Sequence, residues 1–392
     1  MGMSKIKVLA AMSGGVDSAL AAALLAKKGF EVTGVFWNCF DEPGCRTDSD
    51  RKDAIKTALS LKIPFKVLDF KREYKKRVMD WFFEEFKKGR TPNPDVVCNR
   101  EIKFGLGLEW AIKKGFDYLA TGHYARIKLK LANHSLKRTD SLSFPAKANY
   151  LHTQYIDSSR PSSMYLRKLF SKKVNCVSLY QAVDKKKDQS YFLAMLKQKQ
   201  LKRILFPVGG MLKSRVRQEA KKRGLRVWNK RDSTGICFIG HEVNFEDFLK
   251  ERIDEHKGDV VDLKGRVIGR HKGVEFYTIG QRHGFEVRKQ SSSQPKLYVI
   301  EKEMGKNRLV AGGKKDLERV EFKVEKVSWI GGEKPKDLRS LGCRIRHQGR
   351  VIGCQLEGER VILEKPEYGV AEGQIAVFYR GEECLGGGVI SR

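Results

Sequence analysis

The chain has 392 residues, 41% hydrophobic and 32% charged, with 78 Lys and Arg against 47 Asp and Glu for a formal net charge of +31. That length carries two or three domains with real cores, and the charge excess favours a polyanionic partner such as nucleic acid. The cysteines at 39, 45, 98, 176, 237, 343, 354 and 384 include no C-x-x-C pair, which excludes a zinc ribbon, a thioredoxin motif or a disulfide framework and points to a reducing compartment. No apolar run reaches the length of a membrane helix or a signal-peptide core, so a cytoplasmic protein with no membrane partner is expected.

Residues 5–127 alternate strand and helix signals. Strands are expected at 6–12, 31–37, 65–70 and 118–127, and helices at 16–28, 48–62, 74–88 and 101–114. This alternation predicts an α/β fold, a parallel sheet with helices on both faces and ligands at the carboxyl ends of the strands. Three segments fall at that edge: Ser13-Gly14-Gly15-Val16-Asp17-Ser18, the loop after Trp37, and Thr121-Gly122-His123. A Gly-Gly turn between strand and helix lets backbone N–H groups close around an anion, and Ser13 and Ser18 add hydroxyls. The lysine of a Walker A loop is missing, which argues against a P-loop kinase or GTPase. Asp17 beside phosphates calls for an intervening cation, which points to Mg²⁺.

Farther along, Thr91-Pro92-Asn93-Pro94-Asp95-Val96-Val97-Cys98-Asn99 reads as a rigid loop between two helices, its prolines holding a carboxylate and a cysteine three residues apart. Residues 126–187 hold 14 Lys or Arg against three Asp with poor periodicity, and read as an inserted, partly flexible basic segment that is either solvated or in contact with RNA. Helices resume at 188–199, opened by Lys187-Asp188-Gln189, and at 213–223, whose Lys213, Arg215, Arg217, Lys221, Lys222 and Arg223 form a basic stripe. Ser233-Thr234-Gly235-Ile236-Cys237-Phe238 puts a second cysteine in an apolar loop. After a helix at 245–252 come short strands at 260–262, 267–270, 297–300 and 308–311. From about 319 onward, glycine-punctuated alternation predicts a small β-barrel or sandwich.

The turn at 13–18 resembles the PP-loop of ATP pyrophosphatases. Together with the 91–99, 187–192 and 233–240 runs, in that order, and with Gly122-His123-Tyr124, Ile279-Gly280-Gln281-Arg282 and Cys384-Leu385-Gly386-Gly387-Gly388, the chain resembles the bacterial-type tRNA-specific 2-thiouridylases over nearly its whole length. The resemblance implies a catalytic domain over 1–243 with a basic insert, a central, mostly-β domain over 244–315 and a C-terminal β-barrel over 316–392. It implies ATP-dependent thiolation of the anticodon wobble uridine, with AMP and pyrophosphate as products. Ala11, Met12, Ser13, Gly14, Gly15, Val16, Asp17 and Ser18 would cradle ATP, Trp37 and Gly122 would border it, and Asp17 would meet Mg²⁺ through the nucleotide. Asn93, Pro94 and Asp95 would surround the target base. His123, Lys187, Asp188, Gln189, Arg346, His347 and Gln374 would contact tRNA. Cys98 would be the nucleophile and Cys237 the persulfide carrier, the two ending as a transient disulfide.

The chemistry asks for the same groups. The uridine C2 oxygen leaves poorly until it is adenylated. A sulfur nucleophile must then reach C2 with water excluded. Thiolates are the reactive form, so Arg100 and Lys103 are candidates to activate Cys98, and Asp95 to act as general base. The resemblance further implies tRNA acceptors for Lys, Glu and Gln and a sulfur donor from a cysteine-desulfurase relay. Two other readings stay open, a different PP-loop synthetase and an inactive RNA-binding relative. Asp95, Cys98 and Cys237 are also a set that could ligate an iron–sulfur cluster.

Overall fold

The computed structural model describes residues 5–40, 47–131, 150–152, 174–232, 244–287 and 296–391. Five parallel strands form the first sheet in the order Phe65–Asp69, Glu31–Asn38, Lys7–Ala11, Tyr118–Ala120 and Ile204–Leu205. The strand order reverses at Lys7–Ala11: Glu31–Asn38 and Phe65–Asp69 are added on one side of it and Tyr118–Ala120 and Ile204–Leu205 on the other, and a doubly wound sheet opens a ligand crevice at such a point. Helices Val16–Lys27 and Thr47–Ser60 pack on this sheet. Leu9, Val35 and Leu119 point to one face and Val8, Ala10, Val32 and Phe36 to the other, the alternation expected of strands covered on both sides.

The 118–127 strand expected from the sequence is two strands. Tyr118–Ala120 ends in the parallel sheet, and Ala125–Leu131 belongs to a different sheet. Thr121-Gly122-His123 makes the break, because the chain turns there against the start of helix Val16–Lys27. The basic insert is likewise not purely a surface excursion. Its flanks, Ala125–Leu131 and Val174–Gln181, pair antiparallel from Ala125↔Gln181 to Leu131↔Val174, and Tyr150–His152 adds a third strand. The rest of the expected insert, 132–149 and 153–173, lies outside the described residues.

The middle domain is mostly β, an antiparallel and parallel sheet of Gly258–Val261, Val267–His271, Glu286–Val287, Tyr298–Glu303 and Arg308–Gly312 preceded by helix Phe245–Lys250. At the C-terminus six strands, Glu318–Trp329, Leu341–Arg344, Ile352–Glu357, Arg360–Tyr368, Ile375–Arg380 and Glu383–Ser391, form an antiparallel barrel that closes where Glu318–Trp329 pairs with Glu383–Ser391. Closure leaves the barrel without a free edge along that seam. The insert strand Val174–Gln181 joins the barrel through Glu383↔Tyr180 and Cys384↔Leu179, so the barrel and the N-terminal domain share one nine-stranded sheet.

The 91–99 run departs from the expected loop in one respect. Pro94 opens a helix, and the helical path runs without interruption through Pro94–Val97, a wider π-type segment Cys98–Leu106 and Gly107–Lys113. Proline is favoured at the first helical position, where its missing N–H costs nothing. Asn93 caps this helix by accepting the Val96 N–H at 3.3 Å. Asp95 and Cys98 therefore sit on one helical turn, not on a loop, and π-type turns of this kind are frequent at functional sites.

Candidate active site

The strand Lys7–Ala11 delivers the chain into the turn at 13–18. Gly14 has φ +74°, and a Cβ there would fall 2.3 Å from the Asp50 carbonyl oxygen, so only glycine fits. Ser18 Oγ accepts the Ser13 N–H at 3.1 Å and donates to the Gly15 carbonyl at 3.0 Å. These bonds hold the turn closed over the N-terminus of helix Val16–Lys27. Gly15, at the N-cap, offers no side-chain cap, which leaves the first N–H groups to an anion. Gly122 lies against this helix start. A Cβ on it would sit 2.5 Å from the Ser18 nitrogen and 2.7 Å from the Asp17 carbonyl carbon. The sequence-expected loop, Ala11 to Ser18 with Gly122, is thus assembled at one strand edge.

Trp37 ends its strand nearby. Its indole packs so closely on the next helical run that a Cβ at Gly107 would lie 2.8 Å from Cζ2, and its buried Nε1 has no hydrogen-bond partner among the described residues.

Two lysines reach the turn from the distant segment 213–230. Lys213 Nζ donates to both carboxylate oxygens of Asp17, at 2.8 and 2.7 Å, and lies 2.9 Å from Asp232 Oδ1. Tyr124 OH donates to Asp17 Oδ1 at 2.7 Å, and burial followed by the Asp17 charge pushes the phenol pKa far up. Lys230 Nζ donates to the Gly14 carbonyl at 3.2 Å and to Asp50 at 2.7 Å, and also meets Asp53. Asp232 gathers Lys187 at 2.6 Å, Arg217 at 2.7 Å and Lys213. Burial works against its charge, but the bonds from Lys187 and Lys213 outweigh it and hold the carboxyl below its ordinary range.

Lys213, Lys230, Asp232 and Tyr124 are not site residues by sequence, where Lys213 belongs only to a basic stripe. One signal was available. A lysine at the first position of a helix faces the positive end of the helix dipole, so it needs a carboxylate partner. Other members of the stripe are also paired: Arg217 with Asp232 and the Trp228 and Lys230 carbonyls, and Arg215 and Arg223 with Glu219. Asp17 and Ser18 supply the oxygens a Mg²⁺ would use at this turn. With Lys213 and Tyr124 on the carboxylate, a metal here would be held chiefly by phosphate oxygens. Among the described residues no group of three or more His, Cys, Asp or Glu is placed to hold a metal ion.

A second pocket of about 200 Å³ is lined by Asn93, Pro94 and Asp95 together with Phe82, Thr278 and Gln374. All three domains contribute to it. Thr91 ties them together: its N–H donates to the Glu372 carbonyl at 2.7 Å, its hydroxyl meets Thr278 Oγ1 at 3.2 Å, and its carbonyl accepts Gln374 Nε2 at 3.1 Å. Burial raises the Asp95 pKa, and the Lys103 charge offsets only part of the rise. Cys98, 3% exposed, packs one turn farther on within the aromatic cluster of Phe82, Phe83, Phe86 and Phe248. Of the two expected activating cations, Arg100 is paired with Glu101 at 2.7 Å, while Lys103 acts on Asp95 and on His123. Cys237, the expected persulfide carrier, lies outside the described residues.

His123 lies near Phe104 and Phe206, its Nδ1 2.8 Å from Thr121 Oγ1. Burial, then Lys103, holds its pKa well below the ordinary value, so the ring is neutral and meets a partner through hydrogen bonds only. Lys187 and Arg346 remain partly exposed, paired with Asp232 and Glu367. Gln189 exchanges backbone and side-chain bonds with Tyr124. Asp188 departs from the expectation. Its side chain is 1% exposed, and its carboxylate accepts from Arg344, Ser190 and the Ala182 N–H. A carboxylate this short, next to a buried guanidinium, is drawn inward and has no lone pair left for RNA. His347 packs against Phe192 with ring centroids 4.2 Å apart and the planes tilted by 35°, and burial lowers its pKa.

The chain matches three family domains in succession: tRNA methyl transferase HUP domain over residues 6–241, tRNA methyl transferase PRC-barrel domain over 246–313, and aminomethyltransferase β-barrel domain over 319–390. It is 36% identical to the tRNA-specific 2-thiouridylase MnmA of Pediococcus pentosaceus, covering 99% of this chain and 95% of that protein. It is 38% identical to the protein of the same name from Bacillus licheniformis, covering 98% and 94%. Among solved structures, the U34-tRNA thiolase NcsA from Methanococcus maripaludis with its [4Fe-4S] cluster aligns over 60% of this chain and 62% of its own, at 19% identity and a TM-score of 0.34.

Proposed function

Because this chain belongs to the tRNA-specific 2-thiouridylase family, we propose that it thiolates the wobble uridine of tRNA at C2, using ATP and releasing AMP and pyrophosphate. The observation that carries this reading is the pairing of two sites on one scaffold: an anion-binding turn without its own lysine, and a three-domain pocket that places Asp95 one helical turn from the buried Cys98.

The turn at 13–18 binds the triphosphate through the helix N-terminus and the Ser13 and Ser18 hydroxyls, with Mg²⁺ carried in on the phosphates. Trp37 and Gly122 border the nucleotide. Asn93, Pro94 and Asp95 receive the extruded uridine. RNA is read mainly where bases can be splayed out, and the anticodon loop offers such a base. The uridine O2 attacks the α-phosphorus and pyrophosphate leaves, giving a C2–O–AMP ester. The terminal sulfur of a Cys237 persulfide attacks C2 and AMP departs, leaving a Cys237–S–S–C2 link. The Cys98 thiolate then attacks Cys237 Sγ. The new Cys98–Cys237 disulfide takes up the two electrons' worth of oxidation, and 2-thiouridine leaves. A thiol reductant resets the pair. Asp95, with its pKa raised by burial, is poised to take the uridine N3 proton as O2 becomes nucleophilic. Burial of Cys98 keeps water from the adenylate.

In this reading Lys187, Gln189, His123, Arg346, His347 and Gln374 contact the tRNA, and the domain boundaries fall near 243/244 and 315/316. The acceptors are tRNAs for Lys, Glu and Gln, and a cysteine-desulfurase relay supplies the sulfur in the cytoplasm. No helix among the described residues is long and apolar enough to cross a membrane. Chromatography of the nucleotide products, with Cys98→Ser and Cys237→Ser alongside, tests the scheme. AMP and pyrophosphate are expected from wild type, and no 2-thiouridine from either variant. ADP and phosphate, or full product from both variants, would sink it.

A further inference from the structure

The anion-binding turn has no lysine of its own, yet a triphosphate losing pyrophosphate needs a cation on the leaving group. We propose that Lys213 is that cation: a catalytic residue, delivered from a helix about 200 positions downstream, that binds the β- and γ-phosphates and stabilises the departing pyrophosphate. This inference rests on the proposed adenylating function.

The geometry carries it in four steps. Lys213 is the first residue of helix Lys213–Lys222, and that helix packs on helix Val16–Lys27 so that its start lies beside the turn. Its Nζ reaches both oxygens of Asp17, the one carboxylate inside the 13–18 turn, at 2.8 and 2.7 Å. Its side chain is only 12% exposed, so its charge acts through a partly desolvated medium rather than through bulk water. Its own backbone N–H is fixed by Asp184 Oδ2 at 2.9 Å, and the Nζ lies 5.7 Å from the Tyr124 ring centroid, so the stem has little freedom to wander.

The partners explain why a lysine can be kept there before nucleotide arrives. Asp17 and Asp232 neutralise it, at 2.7 and 2.9 Å. When phosphates enter the turn, their charge competes with Asp17 for the ammonium. A lysine is suited to such an exchange because it is a compact point charge on a flexible stem. Asp232 keeps its hold through the exchange, and it also holds Lys187 and Arg217. Lys230 does not fill the same role, since its three oxygen partners, Gly14, Asp50 and Asp53, brace the back of the turn.

The test is binding of inorganic pyrophosphate and of AMP to the full chain, wild type against Lys213→Met, by calorimetry with Mg²⁺ present. Loss of one charged hydrogen bond to phosphate predicts pyrophosphate binding weakened by about 10- to 100-fold with AMP binding unchanged. AMP formation should fall with it. Lys213→Arg should recover part of the pyrophosphate affinity. If Lys213→Met loses AMP and pyrophosphate affinity equally, the residue is structural and the inference fails. Equal pyrophosphate affinity in wild type and variant also overturns it. Wild type that binds neither AMP nor pyrophosphate instead overturns the adenylating function beneath it. Thermal melting of Lys213→Met, and of Lys213→Met with Asp17→Asn, separates these from misfolding, because the double variant no longer leaves the half-buried Asp17 carboxylate without its ammonium.

Discussion

Gln374 Nε2 donates to the Thr91 carbonyl oxygen at 3.1 Å, so a residue of the C-terminal barrel domain holds the segment that leads into the Asp95–Cys98 helix. Gly373 makes the contact possible. It has φ +87°, and a Cβ on it would lie 2.9 Å from Arg90 Cβ and 3.0 Å from the Thr91 nitrogen. Gly373→Ala should push the barrel off the segment that leads to Asp95 and Cys98 and lower the thiolation rate by about 10-fold or more, since small misplacements of reacting groups are costly. Nucleotide binding at the separate 13–18 turn should be untouched. A variant with both activities intact would remove the latch from the account.

Asp95 should be a site where function costs stability. Burial raises its folded pKa above the unfolded value, so the folded state holds the proton more tightly. Stability from this group is then present below the unfolded pKa and is lost as pH climbs through the folded pKa. Asp95→Asn should accordingly raise the melting temperature at neutral pH and flatten its decline between acid and neutral pH. The same change should lower thiolation by about 10²- to 10⁴-fold if the carboxylate is the base. An Asn variant that melts lower at neutral pH would contradict the burial argument.

Asp188 should behave as a core residue. It pairs with Arg344 at 2.9 Å, with side-chain exposures of 1% and 10%. Removing one partner of such a buried pair costs about 3–5 kcal/mol, because the other charge is left uncompensated. Asp188→Ala should show that loss in denaturant unfolding. Intact stability with a selective drop in tRNA affinity would instead return Asp188 to the RNA surface.

Periodic segments were legible in the sequence, and features that depend on distant partners were not. The parallel strands near 6–12, 31–37 and 65–70 and the basic helix at 213–223 read correctly because local apolar patterning and turn residues specify them. The insert misled because its opening residues, with Arg126 and Lys128 among few apolar neighbours, read as solvated or in contact with RNA. In the fold Lys128 covers the Tyr180 ring at 3.8 Å, and Arg126 is buried against Glu382. The anion-binding turn was legible residue by residue, but its lysine was not, since Lys213 reaches Asp17 across 196 positions. The inward turn of the Asp188 carboxylate was hidden for the same reason: its partner Arg344 is 156 residues away.

Salt dependence separates RNA-facing cations from structural ones. With roughly six to ten phosphate contacts, tRNA affinity should fall by about 10³ or more between 50 and 200 mM salt. Arg346→Ala should weaken binding and make the salt slope shallower by about one. Arg217→Ala should leave the slope unchanged, because its guanidinium is spent on Asp232 and two carbonyls and its side chain is 29% exposed against 48% for Arg346. The reverse pattern, measured by filter binding at matched ionic strengths, would relocate the RNA to the 213–222 helix.

The central claim is tested most directly by mass analysis of tRNA nucleosides after incubating the protein with tRNA, ATP, Mg²⁺ and a persulfide donor. The account predicts 2-thiouridine at the wobble position, formed mole for mole with AMP and pyrophosphate and absent when ATP is omitted. Unmodified uridine despite AMP release, or thiolation that proceeds without ATP, would contradict it.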